Sequence, residues 1–379
     1  MLLEQVASNE VLSDQYSQPG CVNRRFGHHV TILDVLQQLL PESEVLNMNF
    51  LTKLRPSSRE SSLFIILIVA VGGTGLINPR FLTGDGTRDL LTSTSVVALL
   101  AIGIAPIVVM RHIDLSIAST VGLSAWTVAD FCAKNPSFTW VQCFVIGSVI
   151  GLVVGIVNGL LVAGLRLPSL VVTLGTLYIV RGLVYVVSNS VDYNAQEMPE
   201  SLLALGQKVY FGLLPFTFLM VIIAMILMAL FMKYTKSGRD AYAIGSNPPA
   251  ADLVGLKVFR RTFLAFVFSG VMSGIAGVFY LMRFAQVDST AFYGQELAVV
   301  AAVVIGGVTI MGGSGTVVGA VIGALLVQTI QGGLAALGVD AFWKAAINGL
   351  LLIIAIYADR VLAVRNEKQL LAQRIRERI

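Results

Sequence analysis

Two apolar runs, Phe211–Met232 and Thr262–Met282, flank a polar island, and this arrangement constrains the fold more than any other feature. Each run reaches the roughly 20 residues that a helix needs to cross a bilayer. The island reads KSGRDAYAIGSNPPAADLVGLK from Lys236 to Lys257. A long, charged, helix-prone loop between two spans is costly to keep unless it docks onto something. Asn247-Pro248 reads as a helix stop and restart, and Ala250-Ala251-Asp252-Leu253-Val254 as a short helix with one apolar face. An aqueous partner that pushes on a membrane domain needs such a handle.

Hydrophobic residues make up 56% of the chain and charged residues 13%, where soluble domains carry about 25% charge. The chain is therefore of the membrane class, and its 36 glycines suit helices that approach closely in lipid. The net charge of +4 is small and the basic residues are not interleaved with aromatics, so no nucleic-acid surface is expected. Three cysteines exclude a disulfide scaffold. Cys132 and Cys143 flank one predicted external loop, where they either pair or stay as thiols.

Residues 1–60 differ in kind, with Glu4, Asp14, Arg24, Arg25, His28 and His29 and no long apolar run. They lack the basic start and apolar core of a secretory signal. Thr31–Leu40 reads as one amphipathic helix. This segment is a cytoplasmic extension, either without fixed structure or a docking element.

Residues 61–360 form the expected transmembrane domain, all-α and polytopic, with about ten spans near 62–78, 91–110, 113–133, 140–165, 168–189, 211–235, 262–282, 295–311, 315–338 and 341–358. The first, eighth and tenth are short for full spans, which is tolerable where protein surrounds them. With the N-terminus inside, nineteen loop and tail Lys/Arg fall on the cytoplasmic side, against Arg80, Arg88, Lys134, Lys208 and Arg283 outside. That bias sets both termini, the loop 236–261 and the basic tail 361–379 in the cytoplasm.

The run Gly312-Gly313-Ser314-Gly315-Thr316 imitates a phosphate loop, but no Lys-Ser or Lys-Thr follows and no strand precedes it. It reads as a tight turn, followed by close helix packing through Gly315, Gly319 and Gly323. The chain thus carries no nucleotide site, and no cofactor is expected. His28, His29 and His112 have no metal-ligand spacing, and no nucleophile motif is present, so no catalytic residue is assigned.

Polar groups within or near spans are candidates for the pathway, because an unpaired charge in hydrocarbon is costly. They are Asp114, Ser116, Asn158, Arg181, Glu296 and Asn348, with Gln328 beside them. Asp114 can instead cap the third span. Lys344 after Trp343 reads as an interfacial anchor. Arg181, in mid-span, must face protein or water, with backbone carbonyls or Asp114 as partners. No carboxylate sits in the middle of a clear span, so ion coupling lacks its usual site. Neutral amides suit a neutral polyhydroxyl solute.

Ile113-Asp114-Leu115-Ser116-Ile117-Ala118-Ser119 resembles the Ile-Asp-Leu-Ser-Val-Gly-Ser motif of bacterial monosaccharide ABC-transporter permeases, the ribose, xylose, galactose and rhamnose group. Gly238, Arg239 and the run through Ala243 to Gly245, with Asn247, Ala250, Ala251 and Gly255, is similar to that group's cytoplasmic coupling loop. Leu167-Pro168-Ser169, Thr173–Thr176, Glu296–Gly307 and Gly312–Thr316 match in order, over roughly residues 62–360. Arg111-His112 stands where many relatives have Gly-Gly, a variant that resembles the rhamnose and autoinducer-2 branches. The resemblance implies a membrane subunit of an importer. Its partners would be a second permease subunit, identical or not, a dimer of ATP-binding subunits, and a periplasmic sugar-binding protein, all around a lipid bilayer. ATP hydrolysis would lie on the separate subunits. The rival readings are an ion-coupled secondary sugar carrier and a membrane-embedded enzyme.

Overall fold

The computed structural model describes residues 59–340 and, beyond them, positions 343, 346–350, 352–354, 357 and 361. The predicted helix at 31–40, the rest of the extension before residue 59, Lys344 and the tail after residue 361 lie outside the described residues.

The chain is an all-α polytopic membrane protein. Its helices are α1 (Arg59–Ile77), α2 (Gly84–Val109), α3 (Ile117–Lys134), α4 (Trp140–Gly159), α5 (Ser169–Ser188), α6 (Glu200–Gln207), α7 (Phe216–Tyr234), α8 (Lys236–Ser246), α9 (Pro248–Leu253), α10 (Val258–Phe284), α11 (Glu296–Ile305) and α12 (Val317–Ala336). A π turn, Leu160–Gly164, extends α4. Among the described residues, seven helices are long and apolar enough to cross a membrane: α1, α2, α4 with its π turn, α5, α7, α10 and α12.

Helix α2 is the hub. Every residue from Thr94 to Val109 is buried, and α7, α10, α11 and α12 pack around it. A helix that is apolar on all sides belongs inside a bundle. Helices α1 and α7 instead leave Phe64, Ile66, Val69, Leu227 and Leu230 on the surface, as expected of helices that face hydrocarbon.

Two expected spans are cut short. The eighth is helical only over Glu296–Ile305, ten residues, about 15 Å at 1.5 Å per residue and half of the hydrocarbon thickness. Gly307 stops it, with φ +94, a conformation that glycine adopts without steric cost. The third span starts at Ile117 rather than 113, because Arg111 turns left-handed at φ +67 and residues 112–115 are not helical.

Helices α4 and α10 meet along their glycines. Gly147, Gly151, Gly155 and Gly159 recur every fourth residue, so they share one face. A Cβ added at Gly151 would collide with the Gly270 carbonyl, and one at Gly274 with the Gly147 carbonyl. The Ser124 hydroxyl donates to the Gly274 carbonyl at 2.7 Å, drawing α3 into the same seam. Gly319 and Gly323 of α12 pack likewise on the Gly306 and Ala302 carbonyls, and Gly315 on Val308. Overpacking in cores costs about 1–3 kcal/mol, and here the clash is with backbone, which cannot move aside. Gly151→Leu is therefore expected to reduce the folded fraction in detergent severalfold by size-exclusion chromatography. An unchanged profile would mean that the seam is looser than described.

At the end of the bundle far from α8 and α9, the segment after α5 forms a cap. The Trp126 indole donates to the Val191 carbonyl at 2.9 Å, and the Tyr193 hydroxyl to Asp130 at 2.7 Å. Backbone bonds join Tyr193 to Val287, and a small hairpin pairs Val209–Tyr210 with Leu214–Pro215.

Candidate functional site

The polar island folds as two short helices. Thr235 caps α8 by accepting the Gly238 N–H, and Asn247 caps α9 by accepting the Ala250 N–H at 3.2 Å. Pro248 takes the first helical position of α9, where no backbone donor is needed. Gly255, at φ +75, turns the chain back toward α10.

The two faces of this pair differ. Arg239, Ala243, Asn247, Ala250 and Gly255 are exposed, whereas Gly238, Gly245 and Ala251 are buried. A Cβ at Gly245 would strike the Val109 carbonyl, and one at Gly238 would strike the Met232 backbone. These three residues hold the loop to the membrane domain and cannot touch an aqueous partner. The residues that do stand out are Leu253 and Val254, 88% and 74% exposed. The sequence pattern marks them only as part of an apolar helical face.

Three ties lock α8 to the bundle. The Arg111 guanidinium donates to the Gly245 carbonyl at 2.5 Å and to the Ser246 carbonyl at 2.8 Å. A cation suits these C-terminal carbonyls, which carry the negative end of the helix dipole. The Tyr242 hydroxyl donates to the Gly315 carbonyl at 2.8 Å, in a turn that is itself held to α2 by the Gly313 N–H donating to the Val109 carbonyl at 2.8 Å. Asp240 accepts from both Nε and Nη2 of Arg261 at 2.9 and 2.7 Å, while Nη1 of Arg261 donates to Ser237. The glycine-rich turn, the end of α2 and the start of α10 thus all bear on one helix.

Three residues after Arg111 the chain enters a buried polar cluster. Asp114 is 2% exposed; its Oδ1 accepts from the Ser116 N–H at 3.0 Å and the Ser116 hydroxyl at 2.6 Å, and its Oδ2 from the Ser269 hydroxyl at 3.0 Å. The Asn158 amide donates to Ser116 at 2.8 Å, and Thr176 donates to the Asn158 carbonyl at 2.7 Å. Every donor in this relay points toward Asp114, and it joins α3, α4, α5 and α10. Asp114 does not cap α3: Ser116 stands at the cap position, and the carboxylate accepts from Ser116 itself, in a turn before the helix. Ser169 and Thr173 of α5 add bonds to the Ile113 N–H and carbonyl at 3.1 and 3.2 Å.

The other polar candidates lie apart from this cluster. Arg181 is 5% exposed and donates to the Ala291 carbonyl at 3.0 Å, with longer contacts of 3.5 Å to the Ser289 and Ala118 carbonyls. Its guanidinium carbon lies 5.4 Å from the centre of the Tyr293 ring. Its partners are carbonyls, not Asp114. Glu296 is half-buried in the first turn of α11. Asn348 is buried and accepts from the Gln331 amide at 3.0 Å. In this conformation the Asn158 and Asn348 side chains bond to their own protein, and neither lines an open passage.

The family model described as branched-chain amino acid transport system / permease component matches residues 86–356. The autoinducer 2 import system permease protein LsrC of Enterobacter sp. (strain 638) is 33% identical over 302 residues, covering 80% of this chain and 87% of that protein. Proteins of the same name from Yersinia enterocolitica and Klebsiella pneumoniae are 30% and 31% identical over 84% and 80% of this chain, and over 87% and 86% of their own lengths. No solved structure matches the chain.

Proposed function

Because the chain belongs to the family described as branched-chain amino acid transport system / permease component, we propose how this permease couples ATP hydrolysis elsewhere to movement of a solute. The chain is the membrane subunit that forms the translocation pathway of a sugar-type ABC importer. Its relatives are named for import of autoinducer 2. For this chain the reading is a small polyhydroxylated solute, autoinducer 2 or a monosaccharide.

In this reading the protein sits in the bacterial inner membrane with about ten spans and both termini in the cytoplasm. Residues 1–60 and 361–379 flank a permease domain, 61–360. Two permease subunits enclose the pathway, two ATP-binding subunits dock on the cytoplasmic face, and a periplasmic binding protein delivers the solute. Closure of the ATP-binding pair pushes on α8 and α9. The push reaches α2 through Arg111, the glycine-rich turn through Tyr242, and four helices through the Asp114 cluster. The solute responds because its affinity differs between two states of the bundle.

One observation carries this reading. Leu253 and Val254 are large, apolar and exposed on a polar loop that is itself bonded firmly to the bundle. Fully burying a leucine or valine side chain in an interface is worth about 1.5–3 kcal/mol, and a carboxylate in its place would have to be desolvated. The double variant Leu253→Asp, Val254→Asp is expected to reach the membrane in normal amount. Uptake of labelled autoinducer 2 and monosaccharides, and solute-stimulated ATP hydrolysis by the assembled complex, should fall at least tenfold. Uptake at the wild-type rate would overturn the reading, and the solute panel in wild-type cells identifies the substrate.

A further inference from the structure

Cys132 lies two residues from the end of α3, and Cys143 closes the first turn of α4. Their side chains are 2% and 0% exposed, and the two Sγ atoms are 3.5 Å apart. The turn between them is built to hold this register. The Asn135 N–H donates to the Cys132 carbonyl at 3.1 Å, and the Phe138 N–H to Asn135 at 3.0 Å. The Thr139 N–H donates to the Gln142 side chain at 2.8 Å, and the Cys143 N–H to the Thr139 carbonyl at 3.2 Å. The thiols face each other across a fixed hairpin rather than at the ends of mobile chains. A closing movement of about 1.5 Å brings the sulfurs to bonding distance.

We propose that Cys132 and Cys143 are joined by a disulfide in the mature protein. The proposal rests on the topology read above, which puts this hairpin on the periplasmic side. Disulfides form and persist in that compartment. The oxidant is a dithiol–disulfide exchange protein of the periplasm. One cysteine thiolate attacks its disulfide and forms a mixed disulfide. The second thiolate displaces the oxidant's sulfur, and the oxidant leaves as a dithiol with the two electrons and two protons. Both cysteines are buried in the folded bundle, so the exchange belongs to the stage before the hairpin end is packed.

The bond has a mechanical consequence. It pins the far ends of α3 and α4, whose near ends are already joined by the bond from Asn158 to Ser116. Fixed at both ends, the two helices move as one body when α8 is pushed.

The test uses the full chain, extracted from bacterial membranes and denatured in excess maleimide. Mass spectrometry then counts adducts before and after reduction. The chain has three cysteines, so one adduct, on Cys21, is expected without reductant and three with it. Cys132→Ser should give two adducts in both cases. A second measurement separates the bond from the topology. Ser137 is exposed at the tip of the hairpin; Ser137→Cys, in a chain lacking the native cysteines, is probed on spheroplasts with an impermeant maleimide. Labelling from outside together with three adducts before reduction overturns the disulfide and leaves the topology standing. Failure to label from outside, with Ser137→Cys reactive after lysis, overturns the topology and the disulfide with it.

Discussion

Arg111→Glu is expected to lower solute uptake about 100-fold while leaving the protein in the membrane in near-normal amount. Arg111 is exposed and its loss opens no cavity, so the bundle should fold. What disappears is the clamp on the last two carbonyls of α8. Hydrogen bonds to a charged group contribute about 1.5–3 kcal/mol each. Solvent access holds both bonds to the low end, about 3 kcal/mol together, and each 1.4 kcal/mol is a factor of ten. Glutamate adds a negative charge beside the negative end of a helix. Arg111→Gly is the sharper test. Arg111 has φ +67, where a non-glycine residue costs about 1–2 kcal/mol. Glycine relieves that strain and offsets part of the lost bonding, so thermal stability should fall by less than in Arg111→Glu while uptake falls about tenfold. Wild-type uptake in Arg111→Gly would mean that Tyr242 and the glycine-rich turn carry the force without the guanidinium.

Seven of the expected spans were legible, because length and apolarity decide whether a segment can cross a bilayer. The family was legible because its motifs keep their order along the chain. What escaped was which side of each element faces inward. Gly245 reads as part of a docking loop, yet it is buried against Val109. The stripe Gly238, Ala241, Gly245 has helical spacing and marks the inward face of α8, a signal that a polar composition hides. Leu253 and Val254 were visible as a short apolar patch, but only the packing of Ala251 beneath them shows that they point away. The glycine ladder of α4 is periodic in the sequence, but its partner on α10 lies more than a hundred residues on. The clamp by Arg111 spans 134 residues, and no local pattern announces it. Asp114 was readable as a polar group near a helix start. Its role as the common acceptor of a relay depends on three other helices brought together by the fold.

The second large effect concerns Arg181. Arg181→Leu is expected to insert normally, since it removes a charge from the bundle, and yet to lose at least tenfold in uptake. The guanidinium draws together α5, the Ala118 carbonyl of α3, and the Ser289 and Ala291 carbonyls of the segment between α10 and α11. That segment leads into the half-span α11 and the Glu296 turn, and it shares the far end of the bundle with the cap through the Tyr193–Val287 pairing. Buried hydrogen bonds from a charged donor contribute about 1.5–3 kcal/mol each, and carbonyls left unpaired add their own desolvation penalty. Loosening them should free the 286–295 segment and raise its amide hydrogen exchange. Arg181→Lys should recover part of the uptake, because an ammonium keeps the charge near Tyr293 but lacks the planar fork that reaches several carbonyls at once. The graded order wild type, lysine, leucine, in both uptake and exchange, is the signature of a bridging role. Equal exchange in all three with full uptake in Arg181→Leu would show that the far-end segment holds its place without this residue.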